Sequence, residues 1–260
     1  MEVVILPGSK QIASLAADAV EALLRRKPDA VLGLATGSTP LPVYVELAAR
    51  HERGGLDFSR VRAFALDEYV GLPAGHPESY REVIAREFTA RVNISPANVH
   101  VPDGAAADIP AACRAYEDAI RDAGGVDLQL LGVGTDGHIG FNEPGSSLAS
   151  RTRIKTLTDR TREDNARFFR TPSEVPRHVV TQGVGTILEA RHLVLLAFGE
   201  PKADAVARAV EGPVTAMVPG SALQLHPHAT VVVDEAAAGR LRLAGYYRET
   251  WRHKPAWQGL

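Results

Sequence analysis

Cysteine is nearly absent: Cys113 is the only one in 260 residues, so no intramolecular disulfide can form. Its place in the helical pattern "PAACRAYEDAI" suits a buried, inert thiol better than a nucleophile. Long apolar runs are missing too. No stretch reaches the roughly 20 residues that span a bilayer, and "MEVVILPGSK" has neither the basic region nor the apolar length of a signal peptide. An excess of one charge is missing: 29 Lys and Arg stand against 31 Asp and Glu, a formal net charge of −2. That excludes a global basic field for nucleic acid or membrane. The expectation is a cytoplasmic chain with no nucleic-acid and no membrane partner. Metal signatures are lacking as well, with no H-E-x-x-H, no C-x-x-C and no second histidine cluster. His226 and His228 read as flanking a turn at Pro227. No metal and no cofactor is expected.

What is present is an alternation. Short β-branched apolar runs at 3–6, 30–36, 61–66, 126–134, 153–157, 192–199 and 229–235 read as strands. Between them, amphipathic patterns at 11–26, from Pro40 through "LPVYVELAARH", 79–92, 109–124, 159–169 and "KADAVARAVEG" read as helices. Such alternation predicts an α/β fold: a doubly wound, mostly parallel, Rossmann-like sheet with helices on both faces. No repeat, low-complexity tract or linker divides the chain, so residues 1–260 are read as one domain. Ligands of such folds sit outside the carboxyl ends of the strands. That directs attention to "TGSTP", "DEYVGL", "GVGTDGH" and "FGEPK".

At the first of these strand ends, Gly37, Ser38 and Thr39 precede Pro40, read at the first helical position. Loop and helix-start N–H groups with two hydroxyls would attract an anion the size of one phosphate. No lysine follows at Walker spacing and the loop lacks G-x-G-x-x-G. A capped helix start would look the same. At the second, Asp67 and Glu68 follow a buried strand, and only one of two neighbours should enter a given cleft. A shielded carboxylate there would have a raised pKa and could act as a base. At the third, Asp136 and His138 lie two apart with Glu143 five further on, an arrangement that orients an imidazole and stabilises its protonated form. Arg167 and Lys202 are candidate cations, Lys202 having the better claim because it follows a buried strand. Together they suggest a sugar-phosphate enzyme that moves protons, read without a nucleophile, nucleotide or cofactor-lysine motif. On this ground isomerase, deaminase and lactonase all fit. A non-catalytic sugar-phosphate sensor would lack the acid–base groups.

At these same residues the chain resembles the glucosamine-6-phosphate deaminase (isomerising) family. "GLATGSTPLPVY", "LDEYVGLPAGHPESY", "GVGTDGHIGFNEPGSSLASRTRIKTL", "NARFF", "VTQGVGTILEARHLVLLAFGEPKADAVARAVEG" and "ALQLHPHATVVVDEA" look like that family's blocks in the family's order. The related 6-phosphogluconolactonases share the G-x-G-x-D-G-H stretch but are not expected to carry "FNEPGSSLASRTRIKTL". The resemblance implies conversion of glucosamine 6-phosphate and water to fructose 6-phosphate and ammonia. It implies His138 as the ring-opening acid–base, tuned by Asp136 and Glu143, and Asp67 as the base at C2. Gly37, Ser38, Thr39, Arg167 and Lys202 would hold the phosphate, and glycines 132, 134, 137 and 140 would let the backbone approach the sugar. Some family members are activated by N-acetylglucosamine 6-phosphate bound between subunits. Ser147, Arg153 and Lys155 match that segment and Ser146 adds a hydroxyl, implying a homo-oligomer. A charged edge strand would look alike, and the tail "AAAGRLRLAGYYRETWRHKP" departs from the activated members.

Overall fold

The computed structural model describes residues 1–260, the Arg160 side chain aside. Its elements run β1 (Glu2–Leu6), α1 (Ser9–Arg26), β2 (Val31–Leu34), α2 (Leu41–Gly54), β3 (Arg62–Ala65), β4 (Asp67–Tyr69), α3 (Tyr80–Glu87), β5 (Val99–His100) and α4 (Ile109–Asp122). There follow β6 (Leu128–Gly132), β7 (Arg153–Thr156), α5 (Asp159–Ala166), β8 (His178–Thr181), α6 (Val184–Leu188), β9 (Leu193–Ala197), α7 (Ala203–Glu211), β10 (Ala229–Asp234) and α8 (Ala244–Arg252).

Seven strands form one sheet in the order β1-β10-β9-β6-β2-β3-β5, every pairing parallel. Its strands are apolar on both faces because helices cover both, and alternate residues divide between two cores. On one face Leu131, Leu195 and Val231 pack with Tyr116 and Ile120 of α4 and Val206 of α7. On the other Leu130, Val194 and Val232 pack with Ile12 and Val20 of α1 and with Val43 and Leu47 of α2. Truncating one of these leucines to alanine costs about 2–5 kcal/mol. The expected α/β architecture with helices on both faces is present.

The strand order places the site. From β2 the chain steps outward through β3 to β5, then returns to lay β6 on the other side of β2 and continues through β9 and β10. The crevice beyond β2 and β6 is therefore the topological switch point, where two loops diverge and leave room for a ligand.

Several elements depart from the sequence reading. The run 61–66 does not simply end at "DEY": after Leu66 the chain starts β4, which joins a separate antiparallel sheet, β4-β8-β7. The strand read at 153–157 is β7, at the edge of that second sheet rather than in the main one. The sequence reading has no β5, β8, α6 or α8; β5, β8 and α6 have two, four and five residues, too few to show a period. α3 stops at Glu87 and gives way to a 3-10 turn at Thr89–Arg91, and α5 ends at Ala166. Pro40 caps α2 from outside, its carbonyl accepting from the N–H groups of Val43 and Tyr44. Among the described residues no helix is long and apolar enough to cross a membrane.

Candidate active site

A cavity of about 460 Å³ opens at the carboxyl ends of β2, β3, β6 and β9. Gly37, Ser38, Thr39, Asp67, His138, Arg167 and Lys202 all line it. Asp136 and Glu143 stand behind His138. Ser146, Ser147, Arg153 and Lys155 lie outside it.

Asp67 opens β4, paired with Thr181 of β8, and is 5% exposed. Burial, with the charge of Glu68 adding to it, pushes its carboxyl up to about 8. A buried carboxylate without compensating donors holds its proton tightly and so is a strong base once ionised. Glu68 has the other fate. It accepts from the backbone N–H groups of Tyr69 (2.8 Å), Tyr80 (2.9 Å) and Arg81 (3.1 Å), pinning the start of α3. Burial raises its carboxyl, and these donors oppose the rise. One neighbour serves the cavity and the other the fold.

The stretch 132–144 folds on itself. The Gly134 N–H donates to the His138 carbonyl (2.9 Å), and the Gly137 N–H to the Gly134 carbonyl (3.0 Å). Gly137 has φ +94°, a left-handed conformation, and a Cβ there would also meet Val218 Cγ1 at 2.6 Å. At Gly134 a Cβ would lie 2.2 Å from the His138 ring. The missing side chain at Gly134 therefore makes room for the imidazole, at a residue that also lines the cavity. Gly132, Gly134 and Gly137 do spell G-x-G-x-x-G after a strand, which the sequence reading passed over. No helix opens there, the next being α5, so the N-terminal dipole that a dinucleotide needs is missing.

His138 Nδ1 is 2.7 Å from Asp136 Oδ1 and 3.8 Å from Glu143 Oε2. The shorter contact is off the line of a hydrogen bond. Asp136 Oδ1 also accepts from the His138 backbone N–H at 3.1 Å. Burial alone would raise the Asp136 carboxyl, but His138 outweighs it and holds the group well below the usual carboxylate range. One atom from each of Asp136, His138 and Glu143 lies within 4.8 Å of the others, near enough to surround a cation. Their contacts are already made with one another and with Thr161, whose Oγ1 donates to Glu143 Oε1 at 2.5 Å.

Lys202 closes the turn before α7 and donates from Nζ to the Val133 carbonyl at 2.7 Å, which brings its ammonium to the end of β6. Burial lowers its pKa. Arg167 caps the C-terminus of α5, with its guanidinium 4.8 Å from the Phe168 ring centroid. In β7, Arg153 and Lys155 are half-buried on one face while Ile154 and Thr156 are exposed. Arg153 Nη1 donates to Asn142 Oδ1 at 2.9 Å.

Four site residues escaped the sequence reading. Asn142, fully buried, donates from Nδ2 to the carbonyls of Ile139 and Gln182, both at 2.9 Å. Gln182 Nε2 donates to the Ala65 carbonyl at 3.0 Å, joining β8 to the end of β3. Thr181 Oγ1 accepts from the Phe141 N–H at 3.1 Å. Thr161 is the fourth. The polar Asn within "GFNEP" and the T-x-x-T of 158–161 were the signals available.

Residues 8–233 match the family described as glucosamine-6-phosphate isomerases/6-phosphogluconolactonase. A glucosamine-6-phosphate deaminase of Arthrobacter sp. (strain FB24) is 75% identical over the whole of both chains. The deaminase of Mycolicibacterium smegmatis is 67% identical, again over the whole of both chains. A solved monomeric glucosamine-6-phosphate deaminase, 40% identical, superposes with a TM-score of 0.90 over 92% of this chain and 100% of that one. The 6-phosphogluconolactonase of Thermotoga maritima shares the fold, at 23% identity and a TM-score of 0.71 over 90% of this chain and 98% of its own. By sequence along its length and by the strand order that builds the crevice, the chain belongs to the glucosamine-6-phosphate isomerase/6-phosphogluconolactonase family.

Proposed function

We propose that this chain is an enzyme that converts D-glucosamine 6-phosphate and water to D-fructose 6-phosphate and ammonia. The observation that carries the reading is the meeting of Asp67 and His138 in one cavity that the Gly37–Thr39 turn also lines. The full-length identity to deaminases supports it.

The roles follow from chemistry. His138 moves a proton from the C1 hydroxyl to the ring oxygen and opens the pyranose; Asp136 and Glu143 hold the ring and stabilise its charge. Asp67 takes the C2 proton. The electron pair of that bond forms C1=C2 while the C1=O π pair moves to O1, which takes a proton from the C2 ammonium, giving an enolamine, and the carboxyl returns its proton to C1. The resulting C2 iminium adds water and expels ammonia. A buried carboxylate suits the second step because it must first accept and then give up one proton. Gly37, Ser38, Thr39, Arg167 and Lys202 hold the phosphate, a remote anchor that fixes C2 against Asp67. No metal or cofactor enters this scheme.

The test is ammonia release from glucosamine 6-phosphate and galactosamine 6-phosphate by purified protein without added metal, with hydrolysis of 6-phosphogluconolactone followed alongside. Turnover of the first alone is expected. Hydrolysis of the lactone that survives Asp67→Asn would replace this reading with a lactonase, since hydrolysis needs no base at C2.

Ser146, Ser147, Arg153 and Lys155 form, in this reading, a site for N-acetylglucosamine 6-phosphate in a homo-oligomer. Two cations on one face of β7 can grip a phosphate, and the buried Ser146 hydroxyl has no hydrogen-bond partner. The Arg153–Asn142 bond joins that face to the residue before Glu143. Assay with and without the acetylated sugar, together with sedimentation, tests this; an unchanged rate and a monomer would discard it. Charged sugar phosphates do not cross bilayers unaided, which supports a cytoplasmic location.

A further inference from the structure

α5 has no apolar face. Among its described residues Thr161 alone is buried, and a helix of eight residues is not stable by itself in water. Polar contacts hold it. Thr158 caps its start, accepting from the Thr161 N–H at 3.2 Å. Arg162 reaches the Val175 carbonyl from Nη2 at 3.1 Å. The third contact leads into the site. Thr158 Oγ1 donates to Thr161 Oγ1 at 2.9 Å, and Thr161 Oγ1 donates onward to Glu143 Oε1 at 2.5 Å. The other oxygen of Glu143 is the one 3.8 Å from His138 Nδ1. At the opposite end of the same helix stands Arg167.

One hydroxyl therefore does two things. It fixes which oxygen of Glu143 faces the imidazole, and it fastens the helix that carries a phosphate cation. We propose that Thr161 is a positioning residue that ties phosphate binding at Arg167 to the His138–Glu143 relay. Phosphate drawn to Arg167 steadies α5, α5 steadies Thr161, and Thr161 holds the carboxylate in register with His138. The proposal rests on the deaminase reading for its substrate. Thr158 Oγ1 also reaches Glu143 Oε1, at 3.4 Å the longer and weaker of the two contacts.

Thr161→Val keeps the side-chain shape and removes the donor; Thr161→Ser keeps the donor. The valine variant is expected to raise KM for glucosamine 6-phosphate about tenfold and to lower kcat about tenfold, the order set by losing a hydrogen bond to a charged group. The serine variant should return both to within about threefold of the starting protein. A rise in KM with kcat unchanged would reduce Thr161 to a helix support and overturn the coupling. Amide hydrogen exchange over 159–166 reads the tether without turnover, with inorganic phosphate as the probe. Exchange should quicken in the valine variant, and phosphate should slow it only where the hydroxyl is present. Equal exchange in both proteins overturns the tether whatever the substrate. Quickened exchange in a protein that releases no ammonia would keep the tether and sink the assigned reaction.

Discussion

The parallel sheet ends in two cavities of opposite character. At the amino ends of its strands lies one of about 850 Å³, bordered by Lys27, Asp127, Arg191, His192, His228 and Lys254. At the carboxyl ends lies the smaller one, of about 460 Å³, with Asp67 and His138. In the larger cavity most of the charges are paired within the fold, Arg26 aside. Asp127 takes Lys27 at 2.8 Å and Arg191 at 3.1 Å, and Lys254 takes Glu2 at 2.6 Å. His192 bonds Thr230 at 3.0 Å and stacks on His228 with 3.7 Å between centroids. In the smaller one Asp67 is buried beside a like charge, and Lys202 is held by a carbonyl rather than a carboxylate. Size does not mark the site. Ionisable groups that the fold leaves unneutralised do, because those are the ones a substrate can use.

Substitutions at one end should therefore cost rate and at the other end stability. The largest effect is expected from Asp67→Asn: kcat/KM for glucosamine 6-phosphate falls by about 10³–10⁴, the scale of a lost general base. Its thermal midpoint should exceed that of the unaltered protein above pH 8, where the buried carboxyl of the latter is ionised. Asp127→Ala is the mirror case. It leaves the buried Val31 N–H without its acceptor and removes the carboxylate of Lys27 and Arg191, both solvated, and should cost about 1–3 kcal/mol in denaturant unfolding, with kcat within about twofold. A fall in kcat with stability intact would erase the contrast between the two ends.

Gly134→Ala comes next. Its Cβ cannot share space with the His138 ring, so kcat should drop about a hundredfold as the imidazole is displaced, with circular dichroism unchanged. An active variant would show that the ring can be seated elsewhere.

The smallest effects are linkage effects of opposite sign. Asp67, raised to about 8, binds its proton more tightly folded than unfolded. Stability from this group is present below the unfolded value near 4 and is lost as pH rises through 8. His192 is held neutral by burial, its pKa down to about 3. Its destabilising share appears as pH falls below the ordinary histidine value, because only the unfolded chain takes up the proton. Charged and titratable neighbours His226, His228 and Lys254 all add to that depression. Asp67→Asn should thus flatten the fall in thermal midpoint as pH rises from 4 to 8, and His192→Gln the fall below the ordinary histidine value, each by a few degrees. Exchanged effects would contradict the assignment.

Much of this was legible in the sequence, for identifiable reasons. The long apolar strands β6, β9 and β10 and the amphipathic α1, α2, α4 and α7 carry their period over enough residues to be read. The glycine-rich stretch 132–144 and the Asp67–Glu68 pair stood out because both follow buried strands. What escaped depends on pairing at a distance. β4 and β8 are three and four residues long and exist by pairing with each other. The division of labour between Asp67 and Glu68 needed the position of α3. Thr161 looked like any threonine in a polar helix until Glu143, eighteen residues away, was seen to accept from it.

The central claim is that Asp67 is the base at C2. Turnover of glucosamine 6-phosphate deuterated at C2, followed by proton and deuterium NMR, tests it most directly. The account predicts that the unaltered protein breaks the C2–deuterium bond, the label passing to C1 of the product or to water, whereas Asp67→Asn leaves that bond intact. Cleavage of the C2–deuterium bond by Asp67→Asn at a rate within about tenfold of the unaltered protein, against the 10²-fold or more that a general base supplies, would contradict it.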